Sequence, residues 1–287
     1  MALERWNVTN DLTLTWLNGG ITHMDGGAMF GVVPKPLWSR KYEGNAHNQI
    51  ELRTDPILIQ VDGKNILVES GIGNQKFSDK AKRNFGITEE SKVNESLNDL
   101  GLSCQDIDHV LMTHMHFDHA CGLTVWNGDE LTPAFPNATI WVQETEWMEL
   151  KNPNIRSKNT YFKENWQGIQ DQVKTFQKEI EVVNGIKLIH TGGHSAGHCI
   201  LHITRGKQDI WHLADIMPTH AHQNVLWVLA YDDFPMDSIA KKQEFVLSAI
   251  EKESWFMFYH DKNYRALKWD KTGKHIIECI TRNRDNE

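Results

Sequence analysis

Apolar and polar positions alternate over residues 12–17, the pattern of a half-buried strand. Residues 56–61 and 65–70 form two more apolar runs around Asp62-Gly63, a pair suited to a tight hairpin turn. Residues 91–100 read as a helix closed by Gly101. Ser103 and Asp106 have capping-box spacing for a short helical turn. A buried strand is predicted over 108–113, another over 139–142, and a helix over 144–150. The polar and aromatic stretch 151–180 is expected to be helical or irregular. Strands follow over 186–191, 199–204 and 209–214. Ile239, Phe245, Val246 and Ile250 mark a helix over 237–253, and residues 254–259 are expected to form the last buried strand. Strands early and late, each half interleaved with helices, predict a layered α/β sandwich. No repeat, low-complexity tract or Gly/Ser linker divides the chain, so one domain over residues 1–287 is expected.

Composition narrows the function classes. The 287 residues carry a formal net charge of −8, with 40% hydrophobic and 24% charged positions, as in an ordinary globular protein. The acidic balance argues against a nucleic-acid partner, which would need a basic face. No apolar run approaches the roughly 18 residues of a membrane span, so no membrane partner is expected. The start, MALERWNVTNDLT, has no apolar signal core, and the expected location is cytoplasmic. Cys104, Cys121, Cys199 and Cys279 form no CxxC pair and are expected to be mostly buried thiols. The 15 His are the unusual count.

Four ligand-type residues cluster in MTHMHFDHACG: His114, His116, Asp118 and His119. They follow directly on the strand over 108–113. Residues two apart on extended backbone point to one side, so His114 and His116 can face one point. Asp118 and His119 follow where the chain turns. Three imidazoles and a carboxylate within six residues suit Zn²⁺ or a similar divalent ion. His194, Asp215 and His260 lie at the ends of later strands. With them the set reaches five His and two Asp, enough for two metals sharing a carboxylate.

The HxHxDH run, the later GH, the Asp after a strand and the final His, in this order, resemble the metallo-β-lactamase superfamily. WLNGGITHMDGGAMFGVVPKPLW (16–38), LRTDPILI (52–59), NPNIRSKNTY (152–161) and MPTHAHQNVLWVLAYDD (217–233) are similar to the YtnP-type quorum-quenching lactonases. That resemblance implies an αβ/βα four-layer sandwich with a dimetal site at its edge. It implies that His114, His116 and His194 hold the first metal, and that Asp118, His119 and His260 hold the second. Asp215 would bridge the two. The implied cofactors are two divalent ions, Zn²⁺ by ligand type, with Mn²⁺, Co²⁺ and Fe²⁺ compatible. Relatives carry an Asp where this chain has Glu69-Ser70-Gly71, and Glu69 would support a ligand His at longer reach. Some lactonases of the superfamily have a substrate-contacting Tyr where Pro218 stands, which leaves His220, His222 and Tyr231 as candidates for that contact.

The implied activity is hydrolytic opening of N-acyl homoserine lactones. A hydroxide bridging the metals would attack the carbonyl, and one metal would polarise the carbonyl oxygen. Asp118 would accept the nucleophile's proton and pass it to the departing alkoxide. The acyl tail needs an apolar wall, for which Met24, Met29, Phe30, Trp38 and Phe117 are candidates against plain core packing. His198 is expected to support its turn, and His220 and His222 either to line the pocket or to lie on a solvated loop. The partner is a small-molecule lactone, and residues 30–38 would seat a second copy of the chain. The alternative is phosphotriester hydrolysis at the same site. A secreted β-lactamase is disfavoured by the start of the chain, a nuclease by the charge of −8, and a di-iron oxidoreductase by the want of a flavin segment.

Overall fold

A computed structural model describes residues 3–282. The chain folds as two compact units. The first comprises residues up to Thr22 together with Arg53–Lys178, and the second His23–Leu52 with the stretch from Glu179 onward.

The first unit is built on a seven-stranded mixed sheet whose spatial order follows the chain. Its strands are β1 Arg5–Asn7, β2 Leu12–Trp16, β3 Ile57–Val61, β4 Lys64–Val68, β5 His109–Leu111, β6 Thr139–Gln143 and β7 Val173–Phe176. Strands β1 to β4 are antiparallel, and β4 to β7 run parallel. The predicted hairpin is present: Asp62 and Gly63 both take positive φ, 50° and 72°, as a two-residue turn with the right twist requires. Ile57, Leu58 and Ile59 are each fully buried, so this strand is covered on both faces. The helices Val93–Asp99 and Glu144–Lys151 pack Val93, Leu97, Trp147 and Leu150 into the same core as Leu58, Leu67, Val110 and Ile140. Burying a side chain such as Leu97 stabilises by roughly 1.5–3 kcal/mol. The capping box is also present, with Asp106 accepting from the Ser103 backbone at 2.7 Å.

The second unit holds another seven-stranded mixed sheet, again in chain order. Its strands are β8 Glu179–Val183, β9 Ile186–His190, β10 Cys199–Arg205, β11 Gln208–His212, β12 Trp255–Met257, β13 Tyr264–Trp269 and β14 Ile276–Thr281. Only β11 and β12 pair in parallel, because the helix Pro235–Glu251 crosses between them. That helix buries Val246, Ala249 and Ile250 against Ile200, Phe256 and Leu267.

Two expectations need correcting. The stretch 151–180 contains an edge strand, Val173–Phe176, besides its short helical turns. Only Phe176 of it is buried, so it lacks the apolar run that marks an inner strand. Residues 254–259 do not hold the last strand, since Tyr264–Trp269 and Ile276–Thr281 follow. Arg265 and Lys268 conceal the first of these, and the second is mostly exposed. Among the described residues no helix is long and apolar enough to cross a membrane.

Candidate metal centre

In the first unit the site grows from the ends of two neighbouring parallel strands. Beyond β5 the chain bends at Thr113, and His116 has extended backbone as the cap of the short helix Phe117–Ala120. The His114 and His116 rings lie 4.6 Å apart, and those of His114 and His119 lie 4.0 Å apart. The helical turn brings Asp118 Oδ1 to 3.9 Å from His119 Nε2. All four expected ligands of this segment therefore converge.

Glu69, directly after β4, sits in the left-handed region, φ 62°, a conformation unusual outside glycine. Gly71 follows at φ 80°, and a Cβ there would meet the Gly19 carbonyl at 2.8 Å. This turn drives the Glu69 side chain inward, where it is fully buried. Its Oε1 accepts the Thr113 backbone N–H at 3.2 Å and the Thr113 hydroxyl, and lies 3.4 Å from His119 Nδ1. The Thr113 hydroxyl, having donated to Glu69, accepts from His114 Nδ1 at 3.1 Å. The proton of His114 is thereby fixed on Nδ1, and Nε2 carries the lone pair. Glu69, His114 and His119 offer ligand atoms within 4.8 Å of one another. Glu69 Oε2 is buried with no hydrogen-bond partner among the described residues.

The second unit presents its residues on three loops. His194 lies on the turn between β9 and β10, where Gly192 and Gly193 take φ of 65° and 97°. A Cβ on Gly193 would meet Ser238 at 2.6 Å. Asp215 follows β11 in the turn Ala214–Ile216, and His260 follows β12. Asp215 divides its carboxylate: Oδ2 is 3.4 Å from His194 Nε2, and Oδ1 is 3.2 Å from His260 Nε2. All three side chains are buried. His194 Nδ1 meets Asp232 Oδ1 at 2.9 Å. A carboxylate only accepts, so Nδ1 carries a proton, and in the neutral tautomer Nε2 is left as a ligand atom toward Asp215. In that tautomer two acceptors face each other in a buried place, an arrangement that suits a cation between them. This donor set, imidazole and carboxylate only, fits a divalent ion.

His198 Nε2 accepts the Asp215 backbone N–H at 3.1 Å, and its Nδ1 meets the Thr191 hydroxyl at 2.9 Å. It supports the turn, as expected. His220 and His222 are not on a solvated loop. His222 is fully buried, bonded to Thr219 and to the Met29 carbonyl, and burial with nearby Lys242 pushes its pKa down to about 3. His220 is half-buried, and its Nδ1 lies 2.6 Å from Asp261 Oδ2. Burial alone would raise the Asp261 pKa, but His220 and backbone donors outweigh it and hold the group low.

The acyl-wall candidates fall into different settings. Phe117 packs among Phe77, Phe85 and Phe162, with its ring 4.2 Å from that of Phe85. Phe30 is fully buried and stacks between Trp38 and His222, in one core with Met29 and against Met24. Tyr231 is exposed. Cys121 packs beside Phe117, and burial raises its thiol pKa to about 12. Cys199 is also buried, Cys104 is half-buried and Cys279 is exposed.

Asp232 was not singled out from the sequence. It stands 17 residues after Asp215 with no spacing rule to mark it, though the run Tyr231-Asp232-Asp233 before a helix-starting Pro235 is a usable signal.

Known proteins resemble this chain in sequence and fold. Residues 51–238 match the family model of the metallo-beta-lactamase superfamily. A structure of a probable metal-dependent hydrolase from Staphylococcus aureus superposes with a TM-score of 0.92 at 49% identity, covering 99% of both chains. The N-acyl homoserine lactonase of Bacillus thuringiensis is 33% identical over 123 residues, and this stretch spans 41% of each protein. The fold is also that of AidC, a dizinc quorum-quenching lactonase solved with a product, at a TM-score of 0.78 and 17% identity over 98% of both chains.

Proposed function

The chain belongs to the metallo-β-lactamase superfamily, and on that premise we propose that it is a metal-dependent hydrolase opening the ring of N-acyl homoserine lactones. The observation that carries the reading is Asp215, whose two oxygens are divided between His194 and His260. A carboxylate so divided suits two ions better than one. We propose His114, His116, Asp118, His119, His194, Asp215 and His260 as the ligands of two divalent ions, zinc by donor type. Such ions supply Lewis acidity and a hydrolytic water whose pKa falls from 15.7 to about 7 in favourable sites.

The protein's own groups supply the rest. Asp232 holds the His194 ring by its Nδ1 side, and Glu69 Oε1 stands 3.4 Å from His119 Nδ1. His198 fixes the backbone of Asp215. The Asp118 side chain is 14% exposed, so its carboxylate stays within reach of water. There it accepts the proton of the attacking water and returns it to the leaving alkoxide oxygen. The lactone reading is supported by the Bacillus thuringiensis relative and by the sequence segments shared with quorum-quenching lactonases.

The test is product identification. Zinc-loaded protein is incubated with homoserine lactones of several acyl lengths, an organophosphate triester and a β-lactam. The expected product is the acyl homoserine, one water heavier than its lactone, and absent after chelation. Turnover of the triester alone would replace this reading with phosphotriester hydrolysis.

A further inference from the structure

The carboxylate of Glu146 is fully buried, yet it is none of the proposed ligands. Its Oε1 accepts the backbone N–H of Met115 at 2.7 Å and the hydroxyl of Tyr161 at 2.9 Å. Met115 is the residue between His114 and His116, so one oxygen holds the backbone of the whole His-x-His fork.

The two anchors come from separate elements. Glu146 sits in the first turn of the helix Glu144–Lys151, where the helix dipole favours an anion, and its own N–H is capped by Gln143 Oε1 at 3.0 Å. Tyr161 lies just past the turn Ser157–Asn159, is 5% exposed, and its ring centroid is 5.1 Å from that of His116. Packing does not call for a carboxylate here. A buried charge is unfavourable unless it is well bonded, and an apolar residue of that size would fill the space at less cost. What a carboxylate adds is a strong, directional bond to one N–H. Rotation of the Met115 peptide would swing both imidazoles, and this bond opposes that rotation.

We propose that Glu146 and Tyr161 are positioning residues of the metal centre, which lock the Met115 peptide so that His114 and His116 present their ring nitrogens to one ion. This rests on the reading that these two histidines bind metal. Tyr161 orients Glu146, Glu146 holds Met115, and neither touches the ion. The pair therefore acts on metal affinity and ligand geometry more than on the fold.

Two variants test it. Tyr161→Phe keeps the ring and removes one O–H; Glu146→Gln keeps the size and an acceptor oxygen and removes the charge. The readouts are zinc affinity by competition with a chromophoric chelator, the visible bands of the cobalt-substituted protein, and the melting temperature of the metal-stripped protein. The expected result for Tyr161→Phe is roughly tenfold weaker zinc binding, the low end for groups that support ligands. Its cobalt bands should change, while the metal-stripped protein melts within about 2 °C of wild type. Unchanged affinity and unchanged cobalt bands in Tyr161→Phe would overturn the proposal, even if Glu146→Gln failed to fold. So would a fall in melting temperature with no change in either metal readout. No lactone enters the assay, so its outcome is separate from the identity of the substrate.

Discussion

Asp232 offers the sharpest perturbation, because its carboxylate directly contacts the ring of a proposed ligand. Its Oδ1 lies 2.9 Å from His194 Nδ1, and Asp232 and His194 are 4% and 2% exposed. A buried hydrogen bond to a charged group contributes about 1.5–3 kcal/mol. At about 1.4 kcal/mol per factor of ten, Asp232→Ala should weaken zinc binding by roughly tenfold to a hundredfold. Asp232→Asn keeps an acceptor oxygen and loses only the charge, so its loss should sit near the lower figure. The assay is chelator competition for zinc, followed by kcat/KM at saturating zinc. Added zinc should restore the part of the rate lost through occupancy, and the remaining deficit reports a misoriented His194 ring. Asp232→Ala with wild-type zinc affinity and wild-type kcat/KM would refute the reasoning, since His194 would then not depend on this carboxylate.

Other predictions follow from the same network. Glu69→Ala leaves the buried N–H and hydroxyl of Thr113 without their acceptor, and should destabilise the fold by about 1–3 kcal/mol in chemical denaturation while also weakening zinc binding. An unchanged denaturation midpoint would contradict this. His198→Phe keeps a ring but removes the acceptor of the Asp215 N–H, and should lower kcat/KM about tenfold, whereas a wild-type rate would show that Asp215 needs no such support. His222 has its folded pKa pushed from 6.5 down to about 3, so the unfolded chain binds its proton first. Stability from this group is full above about pH 6.5 and is lost as pH falls toward 3, by up to about 1.4 kcal/mol per pH unit. Thermal melts of wild type and His222→Gln should therefore converge as pH falls through that range, and parallel pH curves would contradict the assignment.

The inner strands and the ligand run were legible because each carries a local signal. Ile57–Val61 is apolar but for Gln60 and is bounded by Pro56 and Asp62-Gly63, and the His-x-His-x-Asp-His spacing fixes ligand directions within a few residues. Val173–Phe176 and Ile276–Thr281 were not legible as strands, because edge positions bury little and their pattern weakens. Supporting residues were the hardest to find. Asp232 and Glu146 act across 38 and 31 residues of chain, and only the fold brings them to His194 and Met115. Glu69 could be suspected from its place after a strand, but its reach to His119 depends on the left-handed turn at its own backbone. Phe30 illustrates the converse: an aromatic in a segment that resembles the lactonases stacks inside a core with Trp38 and His222.

The central claim is hydrolysis that depends on two ions, and zinc titration of the metal-stripped protein tests it most directly. The initial rate of homoserine lactone opening is followed as zinc is added per chain. The account predicts no rate without metal and a rise that saturates at two equivalents. Full activity in the metal-stripped protein, or saturation at one equivalent, would contradict it.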